Sequence, residues 1–301
     1  MADLISFILG RFKDAVEPLA VPSSFSFPNS LERVNATQPQ VSWINHSTFL
    51  IEVEGFTFLT DPIWSKRCSP FPFLGPKRQI EPPIALSDLP KIDVVLISHD
   101  HYDHLDQKTV HKLHRRFPNI VWIVPNGVKK WFTKHFGRID VREIGWGESV
   151  EEKGFSIHAT PAQHFSGRSL FNRNTTLWMG CMVKLKSGKK FYYAGDTGYN
   201  QQYFKEIGRK FGQIDLSLIP IGAYLPRRFM QVVHVNPEEA VQIHQDVGSQ
   251  LSVGGHFGTF KLSYESLLQP PFDLYNALVK EGISCEAFRV LHPGQKINWG
   301  I

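Results

Sequence analysis

The stretch that decides the fold is DVVLISHDHYDH, residues 93–104. Its first half has the short apolar run of a buried strand. Its second half holds four potential metal ligands within six residues: His99, His101, Asp103 and His104. Side chains this close cannot all face one way on a strand or a helix, whereas a loop at a strand end lets them converge on two adjacent cations. The segment therefore predicts a metal site at the end of a buried strand.

Three further candidate ligands follow other predicted strands, with small residues beside them: His164 in ATPAQH, Asp196 in YAGDTG and His256 in GGHFG. Taken singly, each has an ordinary alternative as a loop histidine or a turn-forming aspartate. Taken together with the first loop, they favour a metal centre built from imidazoles and carboxylates. Such a ligand set suits zinc, and iron or manganese also fits it.

Composition excludes several classes of protein. The 301 residues are 42% hydrophobic and 20% charged, which is typical of a folded globular chain. No apolar run approaches the ~20 residues that span a bilayer, and the charged N-terminus does not resemble a secretory signal. Three cysteines are too few and too scattered for a disulfide framework or a thiolate metal site, which favours a reducing, cytoplasmic location. The net charge of +5 is dispersed, so we expect no nucleic acid partner.

The pattern along the chain predicts a mixed α/β protein. Residues 1–40 read as an N-terminal amphipathic helix followed by a polar strap, and residues 41–301 as a single catalytic domain. Within the domain, strands and helices alternate. A helix is predicted to begin after Asn236, because Asn is a good N-cap, Pro237 suits the first turn and two glutamates follow. The remaining predicted elements are strands at 93–98, 120–124, 155–160, 216–220 and 251–254, helices at 105–117 and 127–136, and hairpins at 49–60 and 180–194.

The order His-x-His-x-Asp-His, His, Asp, His resembles the metallo-β-lactamase superfamily. The resemblance implies a four-layer αββα sandwich with two metal ions at the strand ends. It also implies that His99, His101 and His164 hold one ion, that Asp103, His104 and His256 hold the other, and that Asp196 bridges the two.

Longer blocks resemble one branch of that superfamily, the phospholipases D that hydrolyse N-acylphosphatidylethanolamine. These blocks are WINHSTFL (43–50), FLTDPIWS (58–65), GPKR (75–78), PAQH (161–164), IPIGAY (219–224) and HVNPEEA (234–240). The resemblance implies a phosphodiesterase that forms phosphatidic acid and N-acylethanolamine. Two metal ions would share a water and make it hydroxide near neutral pH, and this hydroxide would attack phosphorus with Asp196 fixing its position.

Several further residues are candidates for supporting roles. His234 resembles a family histidine near the reacting group and is a candidate to donate to a phosphoryl oxygen or to protonate the leaving group. We expect His46 and Asp61 to orient ligand imidazoles. Tyr102 and Tyr224 complete the set that we expect to support the ligands or to contact substrate.

A lipid substrate needs an apolar route, and residues 70–75 and 224–230 mix aromatic side chains with nearby cations. Peripheral contact with a membrane surface is therefore expected, with loop packing as the alternative, and association into a homodimer stays open. Two other functions also stay open at this point. The first is hydrolysis of a lactone, an amide or another phosphodiester, and the second is a metal-binding scaffold without catalysis.

Overall fold

The computed structural model describes residues 38–152, 154–169 and 171–300. The amphipathic helix predicted for residues 1–20 lies outside the described residues. The fourteen strands are β1 (Gln40–Asn45), β2 (Thr48–Val53), β3 (Phe56–Thr60), β4 (Val94–Leu96), β5 (Val121–Pro125), β6 (Val141–Ile144), β7 (Ser149–Glu152), β8 (Phe155–Thr160), β9 (Gly180–Leu185), β10 (Lys190–Tyr193), β11 (Ile214–Pro220), β12 (Ser249–Gly255), β13 (Phe288–Arg289) and β14 (Lys296–Asn298). The six α-helices of the described residues are α1 (Gln107–Arg116), α2 (Lys129–Phe136), α3 (Gln201–Phe211), α4 (Arg227–Met230), α5 (Pro237–Asp246) and α6 (Gln269–Glu281), and a short 3-10 helix spans Leu86–Asp88.

The strands form two seven-stranded sheets. The first has the order β14-β1-β2-β3-β4-β5-β6 and the second the order β13-β12-β11-β10-β9-β8-β7. Phe58 of the first sheet shows how they meet, because its ring contacts Phe155 and Phe191 of the second sheet edge to face, each at 5.1 Å between centroids. The inner faces of both sheets thus share one apolar core.

Alternation along the strands explains why helices cover the outer faces. In β4, Val94 and Leu96 point into the core between the sheets, whereas Val95 packs with Val110 of α1 and Phe132 of α2. Successive side chains of a strand face opposite sides, so an unbroken apolar strand needs cover on both. Helices α3, α5 and α6 contribute buried apolar side chains to the cluster that includes β11 and β12. The result is the four-layer αββα sandwich that the family resemblance implies.

Helix α5 begins as its sequence predicts. The Asn236 side chain accepts a hydrogen bond from the Glu239 backbone N–H at 2.9 Å, and the Glu239 carboxylate accepts one from the Asn236 N–H at 3.0 Å. This reciprocal capping satisfies two N–H groups that a helix end otherwise leaves unpaired. The cap fixes the direction of the segment that carries His234.

Strand direction places the candidate ligands at one edge of each sheet. In the first sheet β1 and β3 are both antiparallel to β2, and β4 is parallel to β3, so these three strands end on the same side. In the second sheet the same reasoning aligns the carboxyl ends of β8, β10 and β12. The loops that leave these six ends carry His46, Asp61, residues 99–104, His164, Asp196 and His256.

No helix in the described part of the chain is both long enough and apolar enough to cross a membrane.

Candidate metal centre

Three imidazoles form the first group of candidate ligands. His101 Nδ1 lies 2.8 Å from His99 Nε2 and 3.4 Å from His164 Nε2. His99 follows β4 of the first sheet and His164 follows β8 of the second, so this group joins the two sheets. Three imidazole nitrogens that converge in this way match the protein ligands of a metal site with an open position.

The second group combines a carboxylate with imidazoles. Asp103 Oδ2 lies 3.4 Å from His104 Nε2 and 3.7 Å from His256 Nε2. His46 belongs to the same group, because its Nε2 lies 3.0 Å from Asp103 Oδ2.

Asp196 lies between the two groups. Its Oδ2 is 3.1 Å from His104 Nε2 and 3.0 Å from His256 Nε2. The same oxygen is 4.0 Å from His99 Nε2 and 3.9 Å from His164 Nε2. One carboxylate oxygen therefore faces ligand atoms of both groups, which is the position a bridging ligand requires.

Three candidate ligands of the centre have a buried polar atom without a hydrogen-bond partner in the described part of the chain. The buried atoms His104 Nε2, His256 Nε2 and Asp196 Oδ1 lack a partner among the described residues. Most buried polar groups in proteins are hydrogen-bonded, so three buried polar atoms without a partner in one cluster of side chains call for a ligand. A cation satisfies such atoms, and the imidazole and carboxylate set therefore fits bound metal.

Asp61 controls which ring nitrogens are free to bind a metal. Its buried carboxylate accepts hydrogen bonds from the Ser98 hydroxyl at 2.5 Å and from His104 Nδ1 at 2.6 Å. The Ser98 hydroxyl has one proton, which it gives to Asp61, so it must accept from His99 Nδ1 at 2.8 Å. In both rings the Nδ1 proton is thus held by a hydrogen bond, which leaves Nε2 as the nitrogen that can bind a metal. His164 is fixed in the same way, because its Nδ1 donates to the carbonyl of Val233 at 2.9 Å.

Burial keeps the imidazoles of the first group neutral. It lowers the pKa of His99 well below its usual value, that of His101 to about 3 and that of His164 to about 4. Neutral imidazoles are the form that binds metal.

In the second group, burial also lowers the pKa of the His104 and His256 imidazoles, but the opposite effect of the neighbouring carboxylates is larger. Asp196 above all raises the pKa of His104 well above its usual value and that of His256 to about 9. The imidazoles affect the carboxylates in turn. Burial opposes ionisation of Asp103 and Asp196, but His104 holds the pKa of both carboxyl groups well below the usual range. This group therefore favours positive charge, which a bound cation supplies.

The other candidate residues occupy different positions. His234 lies at the centre, with Nδ1 3.9 Å from Asp196 Oδ2 and its ring beside those of His164 and His256. The Asp61 carboxylate accepts from His104 Nδ1, and His46 contacts both the Asp103 carboxylate and the His256 ring, whose centroid lies 4.2 Å from that of His46.

The two tyrosines point their hydroxyls elsewhere. The Tyr102 hydroxyl donates to the Arg168 carbonyl at 3.1 Å, and the Tyr224 hydroxyl donates to Asp273. Neither hydroxyl bonds to a member of the metal-binding groups.

Backbone strain marks the same place. His46, Asp61 and His256 have φ values of 44°, 30° and 58°, in the left-handed region that non-glycine residues rarely adopt. Each is held by its surroundings: for instance, the His256 N–H donates to the His46 carbonyl at 2.9 Å. Strain of this kind persists only where the fold enforces it, and it concentrates at functional sites.

Two residues of the centre were not expected from the sequence. Ser98 connects His99 to Asp61, and the Tyr193 hydroxyl donates to Asp61 at 2.5 Å. The sequence did contain one indication of their role, because Ser98 and Tyr193 lie shortly before His99 and Asp196, at the ends of β4 and β10.

Comparison with known proteins agrees with this geometry. Residues 57–257 match the model of the beta-lactamase superfamily domain. The chain therefore belongs to the metallo-β-lactamase superfamily and is a metal-dependent hydrolase.

Two curated relatives point to one branch of this superfamily. The chain is 41% identical over 264 residues to N-acyl-phosphatidylethanolamine-hydrolyzing phospholipase D 1 of Caenorhabditis elegans. The aligned region covers 84% of this chain and 74% of that protein. It is 34% identical over 270 residues to the mitochondrial N-acyl-phosphatidylethanolamine-hydrolyzing phospholipase D of Saccharomyces cerevisiae, over 85% of this chain and 57% of that protein.

A solved structure supports the fold. Igni18, a metallo hydrolase from Ignicoccus hospitalis, superposes with a TM-score of 0.65 at 21% identity, over 88% of this chain and all of that one.

Proposed function

We propose that this enzyme is a phosphodiesterase of the phospholipase D type that hydrolyses N-acylphosphatidylethanolamine or a related phospholipid. The products are phosphatidic acid and N-acylethanolamine. The observation that carries the proposal is Asp196 Oδ2, which lies within 4.0 Å of ligand atoms of both groups. The substrate class is supported by the names of the two curated relatives.

We assign two divalent metal ions to the centre, with zinc as the ion that the ligand set favours. His99, His101 and His164 would hold one, Asp103, His104 and His256 the other, and Asp196 both. When bound, such ions lower the pKa of a shared water to near neutrality and neutralise charge on the phosphoryl oxygens.

The chain's own side chains then position the reactants. Hydrolysis forms one phosphorus–oxygen bond to water and breaks the bond to the N-acylethanolamine oxygen, which leaves with a proton. Asp61, through Ser98 and His104, keeps imidazole protons away from the reacting face. The described groups of the centre are imidazoles and carboxylates, and hydrolysis by water needs no protein nucleophile.

His234 is our candidate for contact with the phosphoryl group or the leaving oxygen. Its Nδ1 is buried without a hydrogen-bond partner and faces Asp196. Burial holds its pKa well below the usual value, so the ring is neutral near pH 7. A neutral imidazole N–H can donate a hydrogen bond to a phosphoryl oxygen as charge develops there.

We place this activity at the cytoplasmic surface of a membrane, with peripheral contact. Cys68, Cys181 and Cys285 form no disulfide in the described part of the chain, in keeping with a reducing compartment.

The test is release of N-acylethanolamine from N-acylphosphatidylethanolamine in mixed micelles, before and after chelation and after zinc is added back. We expect turnover that chelation abolishes and zinc restores. A lactone, an amide and a cyclic phosphodiester are assayed in parallel. Turnover of one of these without turnover of the phospholipid would overturn the proposed substrate, and turnover that survives chelation would overturn the metal chemistry.

A further inference from the structure

A basic cleft lies beside the metal centre and plays no part in the chemistry proposed above. It has a volume of about 390 Å³ and is formed by the loop after β3, the start of α1 and the loop after His164. Five cationic residues line it: Lys66, Arg67, Lys108, Lys112 and Arg168.

Among the described residues, carboxylates leave most of the positive charge of the cleft unpaired. Asp106 is its one acidic lining residue, and the Asp106 carboxylate accepts from the Ser65 hydroxyl at 2.8 Å and from the Thr109 hydroxyl at 2.6 Å. Within the described part of the chain, no carboxylate forms an ion pair with Lys66, Lys108 or Lys112. Residues 62–80 contain no aspartate or glutamate. The cleft is therefore suited to an anionic partner.

An exposed apolar loop continues from this cleft. Phe71, which lines the cleft, is 51% exposed, Phe73 is 77% exposed and Leu74 is 51% exposed. Large apolar side chains clustered beside cations are the pattern of a surface that inserts into a membrane interface. Residues 224–230, the second apolar segment noted in the sequence, do not form such a surface, because Tyr224 and Met230 are buried.

The cleft shares a wall with the metal centre. The Arg168 guanidinium stacks over the Tyr102 ring at 3.9 Å and donates to the carbonyls of Asp100 at 2.7 Å and Leu105 at 2.9 Å. These residues belong to the loop that carries His99–His104. A bilayer seated on the cleft would therefore lie next to the candidate ligands.

We propose that the basic cleft and the apolar loop form a docking surface for an anionic phospholipid bilayer. The cations face the headgroup phosphates, and Phe71, Phe73 and Leu74 enter the interface. The biological reason rests on the proposed function: N-acylation removes the positive charge of phosphatidylethanolamine, so the substrate is anionic. Its product, phosphatidic acid, is anionic too, so hydrolysis does not remove the charge that retains the enzyme.

The experiment measures binding of the full chain, without substrate, to sedimented vesicles. One set contains phosphatidylcholine alone and the other equal amounts of phosphatidylcholine and phosphatidylglycerol. Three variants are compared with the wild type: K108Q/K112Q, Phe73→Ser and, as a control, K205Q/R209Q. The control removes the same charge at the same i, i+4 spacing from α3, on the outer face of the other sheet.

We expect the wild type to prefer the anionic vesicles. Each basic side chain near an anionic surface strengthens binding about fivefold, so K108Q/K112Q should bind them about 30-fold more weakly. Phe73→Ser should lose about tenfold, because an aromatic side chain no longer enters the interface. The control should bind like the wild type.

Equal binding of the wild type to both vesicles, or an equal loss in the control and in K108Q/K112Q, would overturn the docking surface. Hydrolysis of a water-soluble short-chain substrate, measured on the same samples, separates this result from the proposed function. The docking proposal expects K108Q/K112Q to keep that activity, whereas absence of hydrolysis in the wild type would count against the phosphodiesterase alone.

Discussion

Replacing Asp61 by Asn is the most informative single change, because it should reverse the protons on two ligand imidazoles. The Asp61 carboxylate only accepts hydrogen bonds, whereas Asn presents an NH2 group in place of one oxygen. To accept from that group, His104 must move its proton from Nδ1 to Nε2. If the Ser98 hydroxyl accepts as well, it turns towards His99 Nδ1 and shifts the His99 proton in the same way. In both rings the nitrogen that faces the centre then carries hydrogen and cannot bind metal.

The size of the effect follows from the contacts. Loss of a partner that orients a metal ligand typically weakens metal binding by about 10- to 100-fold. The hydroxyls of Ser98 and Tyr193 can rotate to suit the amide, so the metal-free protein should lose no more than about 1–3 kcal/mol of unfolding free energy.

Competition with a chromogenic chelator measures metal affinity, and urea unfolding of the chelated protein measures stability. Tyr193→Phe serves as the matched control, because it removes a donor to Asp61 without altering either imidazole. Wild-type metal affinity in Asp61→Asn, or an equal loss in Tyr193→Phe, would refute this reasoning.

Three further outcomes follow from the structure. Asp196→Asn should lower turnover by several orders of magnitude while circular dichroism shows a retained fold, and near-normal turnover would contradict its bridging position. Phe58→Ala should cost about 3–5 kcal/mol in urea unfolding, because the buried ring joins the two sheets; a loss below 1 kcal/mol would contradict that packing. The metal-free protein should lose stability as the pH falls from 6.5 towards 4, because His46 and His101 with a pKa of about 3 and His164 with a pKa of about 4 stay neutral when folded but take up protons on unfolding. Urea midpoints that do not change over this range would contradict the neutral state of these buried rings.

The local signals in the sequence were sufficient to predict much of the fold. The hairpin of β2 and β3 turns at Glu54–Gly55, and helix α5 begins after Asn236, because turn and capping chemistry act over a few residues. The four-layer sandwich came from the family resemblance, and periodicity alone indicated only a mixed α/β chain.

Elements that depend on distant partners were not predicted. Strand β14 is three residues long and pairs with β1 from the other end of the chain, and the exposed β7 has the polar sequence SVEE. Helix α6 begins at Gln269 without a side-chain cap. In each case the stabilising contact lies outside the window that a local pattern covers.

The same distinction applies to the metal centre. The candidate ligands could be found because they cluster after strands and match a family order. The hydrogen bonds that Ser98 and Tyr193 donate to Asp61 could not be found from the sequence, because they join residues 37 and 132 positions apart. Sequence order predicted the candidate ligands, and the fold was needed to predict which nitrogen of each imidazole is available to a metal.

Anomalous diffraction from crystals of the zinc-loaded protein is the most direct measurement of the central claim. We expect two peaks on either side of Asp196, one within ligand distance of His99, His101 and His164 and the other within ligand distance of Asp103, His104 and His256. A single peak, or peaks away from these side chains, would contradict a two-metal centre bridged by Asp196.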